Sequence, residues 1–205
     1  MKLILEFDDF HWRYPENCIS EIQELVDEFP DIKISLFTTA LLSNLPISNN
    51  VEWVSKVKKF ILSDNIRLAV HGIYHNNQEF KYMTKDQALA SLSLVHSAFD
   101  HAKLPFVKVF RGPHWGINQE SIDALNELSY THLYNHEDYR NLDHLFKNKV
   151  VYYNWNLKDD SPVEDTLVAH GHTHNVCENG IKQVMPKIKK FIIENNPTFG
   201  FVDEI

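Results

Sequence analysis

Two adjacent carboxylates, Asp8 and Asp9, follow the apolar run Leu3-Ile4-Leu5-Glu6-Phe7, and two imidazoles, His71 and His75, follow a second run, Ile66-Arg67-Leu68-Ala69-Val70. Neighbouring carboxylates repel unless something separates their roles, and a metal ion that takes one and leaves the other as a base does so. Asp9, His71 and His75 form a two-His, one-carboxylate set. Such a set leaves coordination positions open for water and substrate, which marks a catalytic metal. The two His can share one side if their segment makes a helical turn. Water on Zn²⁺ held this way is acidified enough to attack a carbonyl near neutral pH. A His pair at this spacing is equally compatible with solvated or hydrogen-bonded histidines.

Arg111-Gly112-Pro113-His114-Trp115 follows a further apolar run. Pro113 fixes the local backbone, so the peptide N–H of His114 can be aimed rigidly at a developing oxyanion. Arg111 suits a carboxylate, with Asp8 the natural partner for its guanidinium fork; a surface salt bridge is the rival reading. His170 ends the run Leu167-Val168-Ala169 and opens Gly171-His172-Thr173-His174. A His there can protonate a leaving amine; a second metal cluster from His170, His172 and His174, or a polar turn, is the alternative. Trp12, Tyr14, Tyr74 and Trp115 cluster around these residues, and Trp12, Tyr74, Pro113 and Trp115 are the candidate substrate contacts. Trp53 and Trp155 are assigned to packing.

The elements that must position these groups alternate between short β-rich runs and longer helical stretches, the pattern of a parallel α/β sheet. Strands are predicted at Lys2 to Phe7, Lys33 to Phe37, Ile66 to Val70, Phe106 to Phe110, Thr131 to Tyr134, Val150 to Tyr153 and Thr166 to Ala169, with a last one at Phe199 to Val202. Helices are predicted at Ile19 to Phe29, Val51 to Leu62, Lys85 to Ala102, Gln119 to Leu128 and Ile181 to Glu194. Thr84 with Gln87 reads as a capping box, and Asn118 as a cap. Asp8, Asp9, His71, Arg111 and His170 all follow strands, and the carboxyl ends of parallel strands share one face where sites are built.

The chain has 205 residues, a net charge of −8, 12 His, six Gly and two isolated Cys. Its length fits one domain over 1–205, with no linker or repeat. The acidic balance argues against a nucleic-acid binder, since phosphate neutralisation needs a basic face. The His-rich composition favours metal or acid/base chemistry. Unpatterned Cys suggest a reducing compartment. No run reaches membrane-spanning length, and the acidic start resembles no signal peptide, so a soluble cytoplasmic protein is expected.

The order and spacing of these segments resemble the polysaccharide deacetylase family, the NodB-homology or carbohydrate esterase family 4 group, over most of the chain. The family's T-F-D-D-G aligns with Glu6 to Phe10, its H-(S/T)-x-x-H with His71 to His75, its R-x-P-(Y) with Arg111 to His114, and its L-x-H with Val168 to His170. The resemblance implies a distorted parallel (β/α) barrel of about seven strands. It also implies Asp8 as catalytic base, Asp9, His71 and His75 as metal ligands, Arg111 as the residue holding Asp8, the His114 backbone as oxyanion donor and His170 as general acid. The implied activity is metal-dependent removal of an acetyl or formyl group from the nitrogen of an amino sugar or related small amide. The cofactor would be one divalent transition metal, Zn²⁺ first, with Co²⁺, Ni²⁺ or Fe²⁺ acceptable.

The chain departs from the family pattern at several places. Phe10 stands for Gly, Glu6 for Thr and Gly72 for Ser or Thr. Phe10 predicts a differently shaped turn, because a bulky side chain resists positive φ. The family's fourth motif, an Asp–Trp pair that tunes the catalytic His, appears as Asn154-Trp155. Asn cannot supply the carboxylate, for which Asp159, Asp160 and Asp165 are candidates. That loss keeps a second reading open, a non-catalytic, glycan-binding relative. A third is a calcineurin-like phosphoesterase, from Asp9-Phe10-His11 and Gly171-His172-Thr173-His174, although the intervening two-metal pattern is missing. Oligomeric state is not legible.

Overall fold

The computed structural model describes residues 1–14, 18–174 and 177–205. Its parallel strands are β1 (Lys2–Phe10), β2 (Ile34–Thr38), β3 (Ile66–Val70), β4 (Val109–Phe110), β5 (His132–Tyr134), β6 (Lys149–Val151), β7 (Trp155–Asn156), β8 (Thr166–His172) and β9 (Thr198–Phe199). They form one curled sheet in the order β6-β5-β4-β3-β2-β1-β8-β7, with β9 added to β1. Among the described residues β6 and β7 do not pair, so the barrel is distorted and incompletely closed. Eight strands lie along the main path against the expected seven or so, and β7 falls in a stretch for which no element is predicted.

The helices α1 (Ile19–Glu28), α2 (Val51–Leu62), α3 (Lys85–Ala102), α4 (Gln119–Glu127) and α5 (Ile181–Asn195) agree with the expected spans to within one residue at each end. Each turns an apolar stripe to the sheet. In α3 it runs through Ala88, Leu92, Val95, Phe99 and Ala102, the spacing that keeps one face inward. The capping box at Thr84 and Gln87 forms, and Asn118 accepts the Ser121 N–H at the start of α4.

Strand periodicity separates two cores. Leu3, Leu5 and Phe7 point outward into the large core under the helices. Ile4, Phe37, Ala69, Val109, Tyr134, Val151, Val168 and Val202 fill the barrel interior. Two residues further along the same strands, the inward positions turn polar: Glu6, then Asp8, on β1; His71 after β3; Arg111 after β4; His170, then His172, on β8. Side chains two apart on a strand share a face, so this polar layer sits directly on the apolar one. The β1–β8 register pairs Glu6 with His170 and Asp8 with His172.

Candidate metal centre and active site

Consecutive residues on a regular strand face opposite ways, yet both carboxylates reach the same cleft. Asp9 adopts φ 67°, and the β1–β2 register shifts between Phe7 and Phe10, a bulge that re-aims one side chain. The strand continues through Phe10, so the left-handed residue is Asp9. Phe10 itself is buried against the Trp53 ring, with centroids 4.8 Å apart.

Asp9 Oδ1 lies 2.6 Å from His75 Nε2 and 3.3 Å from His71 Nε2. His71 donates its Nδ1–H to the Arg111 carbonyl at 3.1 Å, which orients the ring and leaves a lone pair on Nε2 free for a metal. Asp9 Oδ1 is buried and has no hydrogen-bond partner. Two imidazole nitrogens facing an orphaned carboxylate oxygen require a cation or proton between them. The borderline N,N,O donor set fits a zinc-class ion. The other oxygen, Oδ2, takes the His174 Nε2–H at 2.7 Å. Burial pushes the Asp9 carboxyl up, but His174, His71 and His75 outweigh it and hold it well below its ordinary range.

No helical turn forms between His71 and His75. The segment is a loop with Gly72 at φ 65° and His75 at φ 60°. Glu79, buried beneath it, accepts the N–H groups of Ile73, Tyr74 and Asn76 at 2.6, 3.2 and 3.3 Å. A Cβ on Gly72 would stand 2.2 Å from Glu79 Oε1 and 2.4 Å from Pro113 Cγ. The departure from Ser or Thr is therefore a steric requirement of this loop, and Glu79 is a site residue the sequence reading did not single out.

Arg111 is fully buried and holds Asp8, with Nη1 to Oδ1 at 2.6 Å; its Nη2 pairs with Glu6. The guanidinium lies over the Phe37, Trp115 and Tyr134 rings at 4.1, 4.6 and 5.1 Å. The surface salt bridge reading is thus excluded. Burial acts against ionisation of Asp8, yet Arg111, then His71, His170 and His172 bring its carboxyl down to about 2. Asp8 is a carboxylate at any ordinary pH.

His170 stacks on Tyr153 at 4.9 Å and meets Trp115 edge-on at 5.5 Å. Asp8, His170 and His172 also bring ligand atoms together. Arg111 Nη1, however, is within hydrogen-bond distance of both Asp8 and His170, so a cation already occupies that cluster. His172 Nδ1–H is engaged by Asn179 Oδ1 at 2.9 Å. Asn154 is exposed and binds backbone on both sides, its amide N–H to Thr166 O and its oxygen to Val168 N–H. The Asp159 carbonyl accepts from Trp155 Nε1, and Trp155 packs on Phe191.

Of the aromatic candidates, Trp115 lines the cleft beside Arg111 and His170. Trp12 gives its indole N–H to the Pro46 carbonyl at 3.1 Å and stacks on His11, an anchoring role. Tyr74 packs on the core edge, and Pro113 is buried over Gly72. The His114 ring is exposed at φ 49° and lies 5.0 Å from the His75 ring. Trp53 is core. His11, needed as a ligand by the phosphoesterase reading, is used up by packing: Nε2–H goes to Leu45 O and Nδ1 accepts the Arg13 N–H.

No protein-family model and no curated protein matches the chain. Among solved structures, the chitin deacetylase of the fungal pathogen Colletotrichum lindemuthianum superposes at TM-score 0.69, with 12% identity over 99% of this chain and 86% of that one. The family 4 acetyl xylan esterase of Clostridium thermocellum, in complex with a cobalt ion, gives 0.64 with 13% identity over 100% and 89%. A CE4 family pseudoenzyme from Bacillus anthracis gives 0.66 with 13% identity over 99% and 64%. The fold is therefore that of the CE4 esterases and deacetylases, the NodB-like distorted barrel. No helix among the described residues is long and apolar enough to cross a membrane.

Proposed function

We propose that the protein is a metal-dependent hydrolase that removes an N-acyl group, acetyl or formyl, from an amino sugar or related small amide. The observation that carries this reading is the division of labour between adjacent carboxylates: Arg111 fixes Asp8 as an anion at 2.6 Å, while the bulge turns Asp9 to His71 and His75. A divalent ion of the zinc class, held by Asp9, His71 and His75, would polarise the acyl carbonyl and acidify water. Asp8, ionised and oriented, takes the proton from the attacking water. The His114 N–H, on the turn set by Pro113, faces the developing oxyanion, and His170 gives a proton to the departing amine. Two structural neighbours, a chitin deacetylase and an acetyl xylan esterase, support the substrate class.

The test is metal analysis together with turnover of N-acetylated and N-formylated amino sugars. Wild type should carry about one transition metal per chain and lose it in His75→Ala. Asp8→Asn should keep the metal while kcat falls by about 10²–10⁴-fold. A wild type that takes up no divalent metal would abandon the reading. The non-catalytic alternative is favoured by Asn154, which serves the backbone and supplies no carboxylate, and by the likeness to a pseudoenzyme. Metal and sugar binding without turnover would establish it.

A further inference from the structure

We propose that Glu6 is the counter-ion and positioning residue of His170, supplying from β1 the carboxylate that Asn154 cannot. The inference rests on the N-deacylase reading. Glu6 and His170 are direct partners in the β1–β8 register, so their side chains rise from the same interior level. Glu6 Oε1 lies 3.3 Å from His170 Nδ1, both groups are buried, and Glu6 Oε2 is buried with no hydrogen-bond partner of its own. Among the described residues, none of the other acidic candidates, Asp159, Asp160 or Asp165, makes a hydrogen bond or ion pair with His170.

Charge makes the case. The groups facing His170 are Arg111 at 3.2 Å, Glu6, Asp8, the His172 ring and the aromatic faces of Trp115 and Tyr153. A general acid must carry its extra proton, and an imidazolium beside a permanently charged guanidinium is repelled. Asp8 and Arg111 alone are neutral together. With Glu6 the buried set carries one net negative charge, which an imidazolium at His170 completes to zero. In the neutral ring Nδ1 accepts the Arg111 Nη1–H at 3.2 Å; once the ring is protonated that contact is lost, the Nδ1–H turns to Glu6 Oε1 at 3.3 Å, and Nε2 is left to deliver its proton to the leaving nitrogen. The carboxylate orients and neutralises the ring, as the third member of a nucleophile–base–orienter set does. In the motif that this segment resembles, the position is a Thr, which could not do this.

Glu6→Gln keeps the shape and the acceptor oxygen for Arg111 Nη2, so Asp8 stays held. Two substrates separate the roles. An N-acetylated amino sugar needs its amine protonated as it leaves, whereas an aryl acetate releases a stable phenolate without an acid. In Glu6→Gln, kcat on the amide should fall by about 10²-fold or more while the aryl ester changes by less than about threefold, at unchanged metal content. Equal losses on both substrates, or no loss, would overturn the proposal. The second readout needs no turnover: in ¹⁵N-histidine spectra in mildly acidic solution, His170 should carry protons on both ring nitrogens in wild type and lose the Nδ1 proton in Glu6→Gln. A wild-type ring with Nδ1 bare would overturn the proposal even if the variant failed to fold. Wild type that hydrolyses neither substrate, yet shows the doubly protonated ring, would sink the deacylase reading and leave the Glu6–His170 pairing standing.

Discussion

Arg111 shows how little a residue's type says until its burial is known. It is an arginine after a strand in sequence, and in the structure it is a cation enclosed by three aromatic rings, paired with Glu6 and Asp8. Removing one partner of a buried ionic set strands the others, which costs about 3–5 kcal/mol. Arg111→Leu should lower the urea midpoint accordingly; a variant as stable as wild type would mean that the pair contributes no net stability. His11 behaves oppositely. Burial, more than Arg13, lowers its pKa to about 4 from 6.5, and both ring nitrogens are spent on the backbone in the neutral form. The unfolded chain therefore takes up the His11 proton before the folded one does. Its contribution to stability is complete above pH 6.5 and is lost as pH falls toward about 4. In metal-free protein, His11→Gln should flatten the decline of urea stability across that window, and an unchanged slope would remove His11 from the account. That Asp8, Asp9, the His pair and His170 converge on one cleft was legible because they stand after apolar runs. Glu6 was not, since a single acidic residue inside an apolar run acquires its meaning only from the register that sets it against His170.

At the scale of elements, helices were legible to within a residue because their apolar stripes repeat over three or more turns. The strands of two or three residues were less so: β4 is shorter than its apolar run suggests and β7 is absent from the expectation. Period-two alternation needs more residues than these strands possess. The loop carrying His71 and His75 shows that spacing does not fix geometry: an i, i+4 pair shares a side if a helical turn forms, and the chain instead uses two left-handed residues over a buried carboxylate. Gly72→Ala is the direct probe. Its Cβ would meet Glu79 and Pro113 at a positive φ, so the loop must move and carry His75 with it. Metal affinity should fall by about 10–100-fold, the usual cost of disturbing the groups that orient a metal's ligands, and Glu79→Gln should weaken binding in the same direction. Zinc titration with a competing chelator reads both; affinities equal to wild type would mean that the ligand loop is not held by this contact.

For the whole molecule, the site depends on a barrel whose two ends are built differently. The carboxyl ends of the strands carry the polar layer, while the opposite end is closed by the last residues of the sequence. Val202 enters the interior core, its N–H donating to Ser35 Oγ and its carbonyl accepting from Tyr134 OH. Asp203 pairs with Arg67 through both oxygens, and the same guanidinium lies 4.1 Å over the Phe201 ring. The final stretch read as a strand at Phe199 to Val202 is thus a short strand, Thr198–Phe199, followed by a plug. Its role was not legible because closure joins residues from β2, β3 and β5 that are far apart in sequence. Deleting a buried aromatic costs about 3–5 kcal/mol through lost transfer energy and the cavity left behind. Phe201→Ala should therefore lower the Tm by roughly 6–20 °C. Metal stoichiometry at low temperature should stay at the wild-type value, because the proposed ligands Asp9, His71 and His75 stand on the other end of the strands. A variant that melts with wild type would show that the plug does not close the barrel, and one that folds but loses its metal would show that the two ends are coupled through the interior core.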